Sequence, residues 1–168
     1  MSISNHYNNE ITQPVVFFPG TLCDERIFNS CWQHLCIEKR AFVPLQWAQD
    51  LAQMQMLSTD RLAYFDEPVH LVGFSMGGYI AALTALDNHT RIASLTLIGS
   101  ACDALPKEEI QQRKQLLKLI NNKQYQGPVD KGLQRFFHPS HWKNNSYIQT
   151  IKQMQQDLGG AVLAAQIT

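Results

Sequence analysis

The sequence predicts an α/β fold, a doubly wound and mostly parallel sheet followed by a helical segment, and three observations carry that prediction. Short apolar runs alternate with stretches of helical spacing, as expected of strands joined by crossover helices. Two of the runs, Pro14–Phe18 and Val69–Phe74, end in glycine-bearing turns that open directly into such stretches. From Leu105 onward helical spacing continues and no further strand pattern appears.

The elements follow in order. After a polar lead, Pro14-Val15-Val16-Phe17-Phe18 is apolar throughout, which suits a strand buried on both faces, and Pro19-Gly20 ends it. Ile27, Phe28, Cys31, Trp32 and Leu35 then recur at helical spacing, with Thr21 or Asp24 placed as N-cap. This pattern puts Cys31 on the apolar side of the helix, as a small hydrophobe. Arg40–Leu45 reads as a second strand, and Pro44, which has no N–H to donate, assigns it to a strand end or a sheet edge. Asp50–Phe65 carries Leu51, Met54, Leu57, Leu62 and Phe65 in a broken helical pattern, closed by Asp66-Glu67-Pro68.

Val69–Phe74 is the third strand and Met76–Asp87 the helix after it, so the period changes at Ser75. Gly73-x-Ser75-x-Gly77 spans that change. Such a spacing fits a nucleophile elbow, in which a serine sits on a strained strand-to-helix turn and flanking glycines let neighbouring backbone approach. The competing reading is a glycine-rich turn whose serine merely caps the helix, although a cap needs neither glycine. Ile92–Ile98 is a fourth strand, ending at Gly99. Ligands of such sheets bind beyond the carboxyl ends of the strands, where both Ser75 and the Gly20 loop fall. The remainder divides into helices at Glu108–Asn121 and Ser146–Leu158, with breaks at Gly127-Pro128 and His138-Pro139-Ser140-His141. Gly159-Gly160 precedes a last alanine-rich piece. Residues 1–104 are therefore expected to form the core and 105–168 a helical cap over the strand ends.

Composition narrows the function. With 14 basic and 14 acidic residues there is no net field to attract nucleic acid or an anionic membrane, and no basic run supplies a local one. No apolar stretch is long enough for a bilayer, and the first residues lack a secretory pattern, so a soluble cytosolic protein is expected. Cys23, Cys31, Cys36 and Cys102 match neither a disulfide scaffold nor a zinc site, and are expected to be reduced. No cofactor or metal motif is present. Alternation sets His70 opposite Leu71 within its strand, as a packed structural histidine.

Phe18-Pro19-Gly20-Thr21-Leu22, Gly73-Phe74-Ser75-Met76-Gly77-Gly78 and Leu97-Ile98-Gly99-Ser100-Ala101 together resemble the α/β-hydrolase superfamily, in particular its capped, small-molecule esterase-like members. The resemblance implies that Ser75 attacks an acyl or ester carbon. It implies an oxyanion hole of the Met76 amide and an amide after the first strand, Thr21 with Leu22 next in line. It also implies two further strands after the cap, bearing an acid and a histidine. The sequence stops at Thr168 before either, so a truncated chain is expected, with the last strand left as an open edge that invites pairing with a second copy or another partner. Asp103, a few residues past that strand, is the candidate acid, with a turn or cap residue as the competing reading. His138 and His141 are the nearest candidates for a base and read otherwise as solvated turn residues. Three hypotheses follow. They are a serine hydrolase of small acyl or ester substrates, a non-catalytic remnant that binds an apolar ligand or a protein partner, and a dimer in which a second copy supplies the base.

Overall fold

A computed structural model describes residues 10–127, 133, 137–142 and 144–168. Its strands are β1 (Glu10–Ile11), β2 (Val15–Phe18), β3 (Cys36–Ile37), β4 (Arg40–Phe42), β5 (Val69–Phe74) and β6 (Ile92–Ile98). The helices are α1 (Asn29–Trp32), α2 (Leu51–Leu62), α3 (Met76–Asp87), α4 (Lys107–Asn121) and α5 (Asn145–Ile167). β4, β2, β5 and β6 form, in that order, a parallel sheet, with Val16 opposite Leu71 and Leu71 opposite Leu95. β1 and β3 pair separately in parallel. The predicted α/β fold is thus observed.

Alternation along β2 builds two cores. Val16 and Phe18 face Met54 and Leu62 of α2 and Ile80 and Ala81 of α3. Val15 and Phe17 face the opposite layer, where Phe17, Phe28 and Trp32 meet with ring centroids 5.0–5.8 Å apart. At roughly 1.5–3 kcal/mol for each large apolar side chain removed from water, these two clusters dominate what holds the sheet together. β4 lies at one edge and stops at Phe42, so Pro44 falls outside the ladder.

The second layer departs from the sequence reading. Instead of one helix capped at Asp24, a 3₁₀ turn at Glu25–Phe28 precedes a single α-turn. At three residues per turn the apolar positions no longer share one stripe. Phe28 and Trp32 turn inward, and Cys31 is exposed rather than packed. Gly159, by contrast, breaks the helical backbone of α5 where the sequence predicts a stop. Its φ of 73° and ψ of −177° kink the chain once, and the helix resumes so that Leu163 and Ile167 reach Leu22.

β6 forms the other edge of the sheet. Ala93 to Ile98 are all exposed, with Leu95 and Leu97 on one face and Ile98 on the other. Parallel strands are ordinarily covered on both faces. Here α3 is the helix in substantial contact with β6, and the outer hydrogen-bonding side is open among the described residues.

Candidate active site

Ser75 joins β5 to α3 with φ 53° and ψ −121°, a conformation costing of order 1–3 kcal/mol for a residue with a Cβ. Its neighbours hold it there. The Ser75 N–H donates to Ile98 O at 2.9 Å, continuing the β5–β6 ladder, and its carbonyl accepts from the Gly78 N–H at 2.9 Å, opening the helix. The side chain makes no capping bond to α3, so the helix-cap reading of this serine fails.

The glycines are required by close approach. A Cβ on Gly73 would lie 2.5 Å from Gly78 Cα and 2.6 Å from Gly77 O. One on Gly77 would run into the Phe18 and Pro19 carbonyls, which binds α3 tightly to the exit of β2. One on Gly20 would lie 3.3 Å from Ser75 Cβ. The Gly20 loop and Ser75 are therefore immediate neighbours, as both strand ends predict.

The turn that follows Gly20 is closed by the Cys23 N–H donating to Gly20 O at 3.1 Å. Within it Leu22 has φ 51° and is buried. Its N–H donates to Gln166 Oε1 at 2.8 Å, so this amide is already engaged. Among the described residues the Thr21 and Met76 amides have no acceptor; Met76 is the first residue of α3, where orphan amides carry the positive end of the helix dipole. Asp24 then caps the 3₁₀ turn through Arg26 N at 3.0 Å and grips the Arg26 guanidinium, which also reaches Asp157 of α5 at 2.8 Å. The Asp24 hydrogen bond, followed by that of Asp157, holds the Arg26 pKa above its ordinary value. Burial, with the Asp24 charge second, pushes the Cys23 thiol up to about 12. Cys23 is thus no competing nucleophile.

The other predicted residues make no recorded hydrogen bond to this cluster among the described residues. Asp103 is exposed in the loop after β6 and makes no hydrogen bond or ion pair among the described residues. His138 bonds Ser140 within its own turn, and His141 sets its ring against Tyr147. His70 is half-buried, bonded through Nδ1 to Ser94 Oγ and through Nε2 to Gln13 Oε1, both at 2.7 Å. None of the described residues hydrogen-bonds the Ser75 hydroxyl. A cavity of about 440 Å³ opens beside the α5 kink, lined by Tyr125, Gln126, Lys152, Gln155, Gln156 and three glycines; Ser75 does not line it. No described helix is long and apolar enough to cross a membrane, and no three metal-ligating side chains converge among the described residues. Gln166, Arg26 and Asp157 are absent from the sequence reading. Contacts spanning 144 and 131 residues leave no local pattern to find.

A family model described as the alpha/beta hydrolase fold matches residues 48–143. A curated relative, the abhydrolase domain-containing protein lid-1 of Caenorhabditis elegans, is 24% identical over an alignment covering 87% of this chain and 44% of its own length. MenH from S. aureus superposes on 95% of the chain with a TM-score of 0.61 and 18% identity. An esterase from Exiguobacterium antarcticum covers 93% with a TM-score of 0.63 and 18% identity. The chain spans 66% and 65% of those two structures, and less than half of the curated relative.

Proposed function

The chain belongs to the α/β hydrolase fold family, and from that premise we propose that it carries the nucleophile and oxyanion half of a serine hydrolase for small acyl or ester substrates. Ser75 Oγ attacks the acyl carbon, and the Thr21 and Met76 amides receive the charge that develops on the carbonyl oxygen. Two backbone donors without acceptors among the described residues cost little to reorganise when that charge appears. The serine proton passes to a base, which returns it to the leaving group as the bond from that group to the acyl carbon breaks; Asp103 is the acid candidate that would orient the base, and among the described residues none hydrogen-bonds the serine hydroxyl. No cofactor is needed, and a cytosolic setting suits four free cysteines.

The observation that carries the reading is the strained backbone of Ser75 with its side chain unused by the helix it begins. Strain that serves no cap has another purpose to explain it. A fluorophosphonate probe read by intact mass tests it. We expect one adduct per chain at neutral pH, abolished in Ser75→Ala; no adduct in the folded protein counts against the assignment.

A second reading rests on β6. Its exposed Leu95, Leu97 and Ile98, and an outer backbone side unpaired among the described residues, fit a protein whose function is to receive a partner strand, in a homo-oligomer or from another protein. Light scattering on wild type and Leu97→Lys separates them. A dimer that the lysine dissolves supports this reading; a monomer at all concentrations removes the homo-oligomer.

A further inference from the structure

The peptide linking Thr21 to Leu22 is held at both ends. Its N–H donates to Gln166 Oε1 at 2.8 Å in a buried bond, and its carbonyl accepts from Cys23 Sγ at 3.5 Å. The bond to Gln166 offsets the backbone cost at Leu22, which stands at φ 51°, a conformation costing a leucine of order 1–2 kcal/mol. Rotating this peptide would return Leu22 to negative φ. It would also turn the Thr21 carbonyl through the space that its N–H now occupies and change ψ at Thr21, the residue whose own amide has no acceptor among the described residues. A neutral hydrogen bond contributes net about 1 kcal/mol, and losing it would leave a buried amide without a partner.

Three further features tie the same helix to the same loop. Leu22 packs against Leu163 and Ile167, one on each side of Gln166, and Asp157, on the other side of the Gly159 kink, grips Arg26. Gln166 itself is 7% exposed, and its Nε2 has no partner among the described residues. A glutamine buried with half of its hydrogen-bonding capacity unused is a poor choice for packing alone. Its other half is spent on one backbone amide next to the candidate oxyanion donor. We propose that Gln166 is a positioning residue of the site, fixing the Thr21–Leu22 peptide so that the Thr21 amide faces the acyl oxygen held at Ser75. This rests on Ser75 being the nucleophile.

Gln166→Met keeps the length and removes the acceptor, whereas Gln166→Glu keeps an acceptor oxygen; if the methionine variant does not fold, Gln166→Asn withdraws the acceptor by one methylene. Two readouts are taken. The first is hydrogen exchange at the Leu22 amide, with the Val16–Phe18 amides as internal reference. We expect about ten-fold faster exchange in Gln166→Met, near wild-type exchange in Gln166→Glu and no change in β2. The second is the rate of fluorophosphonate labelling at Ser75, resolved into reversible affinity and the covalent step. The covalent step is expected to slow about ten-fold in Gln166→Met with affinity unchanged, and to recover in Gln166→Glu. Unchanged Leu22 exchange overturns the proposal, as does faster exchange with an unchanged covalent step. Faster labelling in Gln166→Met overturns it too, since Gln166 would then obstruct the site. If wild type is not labelled at all, it is the serine-hydrolase reading that fails, and the exchange experiment still decides whether Gln166 holds the loop.

Discussion

Replacing Gly77 by alanine tests whether the elbow and the β2 exit are in the close contact that the site requires. The new methyl would lie 2.5 Å from the Phe18 carbonyl carbon and closer still to the Phe18 and Pro19 oxygens, where an ordinary contact is 3.4–4 Å. All three are backbone atoms, so no side chain can turn aside. α3 and the β2 exit must separate by roughly 1 Å, and forcing a methyl into packed surroundings costs about 1–3 kcal/mol or more. Alanine's helix propensity returns less than about 1 kcal/mol at the second residue of a helix. A net loss of about 2 kcal/mol is expected, which for a chain of this size lowers the melting temperature by roughly 4–8 °C. Urea unfolding followed by tryptophan fluorescence measures it, with Leu86→Ala as control, since Leu86 is on the same helix and 74% exposed. The control should stay within about 0.5 kcal/mol of wild type. Labelling of Ser75 should fall in Gly77→Ala even at temperatures where the variant is fully folded, because the Gly20–Thr21 loop moves with the carbonyls. A Gly77→Ala protein as stable as Leu86→Ala would refute the close contact.

Ser75→Gly should abolish labelling and yet stabilise the protein by about 1 kcal/mol, since glycine adopts φ 53°, ψ −121° without the Cβ penalty; a lower unfolding midpoint than wild type would contradict the strain. Cys23 yields a pH dependence. Its thiol ordinarily ionises near 9.0 but holds its proton to about 12 when folded, so between those values the unfolded chain binds fewer protons and stability falls as pH rises. That contribution is intact below pH 9, and Cys23→Ala should flatten the alkaline decline measured by urea titration at pH 8, 9 and 10. At pH 8 an alkylating reagent should modify exposed Cys31, Cys36 and Cys102 well before Cys23.

What was legible in the sequence was local. The change of period at Ser75 and the glycines around it placed α3 over Met76–Asp87, and the all-apolar β2 identified itself by having no polar face. Pro44 pointed to a strand end or a sheet edge, and β4 both stops before it and lies at an edge. β1 and β3, at two residues each, are shorter than any periodicity can register. Cys31 was misplaced because a 3₁₀ turn and an α-turn have different periods, and only the packing of Phe28 and Trp32 on Phe17 decides between them. Gly159 was legible as a helix stop, and its backbone there is non-helical; the second helical piece that follows was not, because its apolar residues pack on Leu22, remote in sequence. Gln166 was illegible for a different reason. Nothing near residue 166 announces a contact with residue 22, and nothing near Leu22 announces a left-handed backbone.

Ser75 and Leu22 are two of three described residues other than glycine with positive φ, and they sit on neighbouring turns. Each strained conformation is held by an element remote in sequence. Leu22 depends on α5 through Gln166, and Ser75 depends on β6 through the carbonyl of Ile98. β6 is the strand whose outer side is open among the described residues and whose apolar residues face solvent, so the support of the candidate nucleophile is a poorly protected part of the sheet. Pairing that edge would restrain Ile98 and, through one hydrogen bond, the serine. The two readings of function are therefore coupled: a strand received at β6 acts on the geometry of Ser75 whether or not the protein evolved to receive it, and probe reactivity should rise with whatever orders that edge.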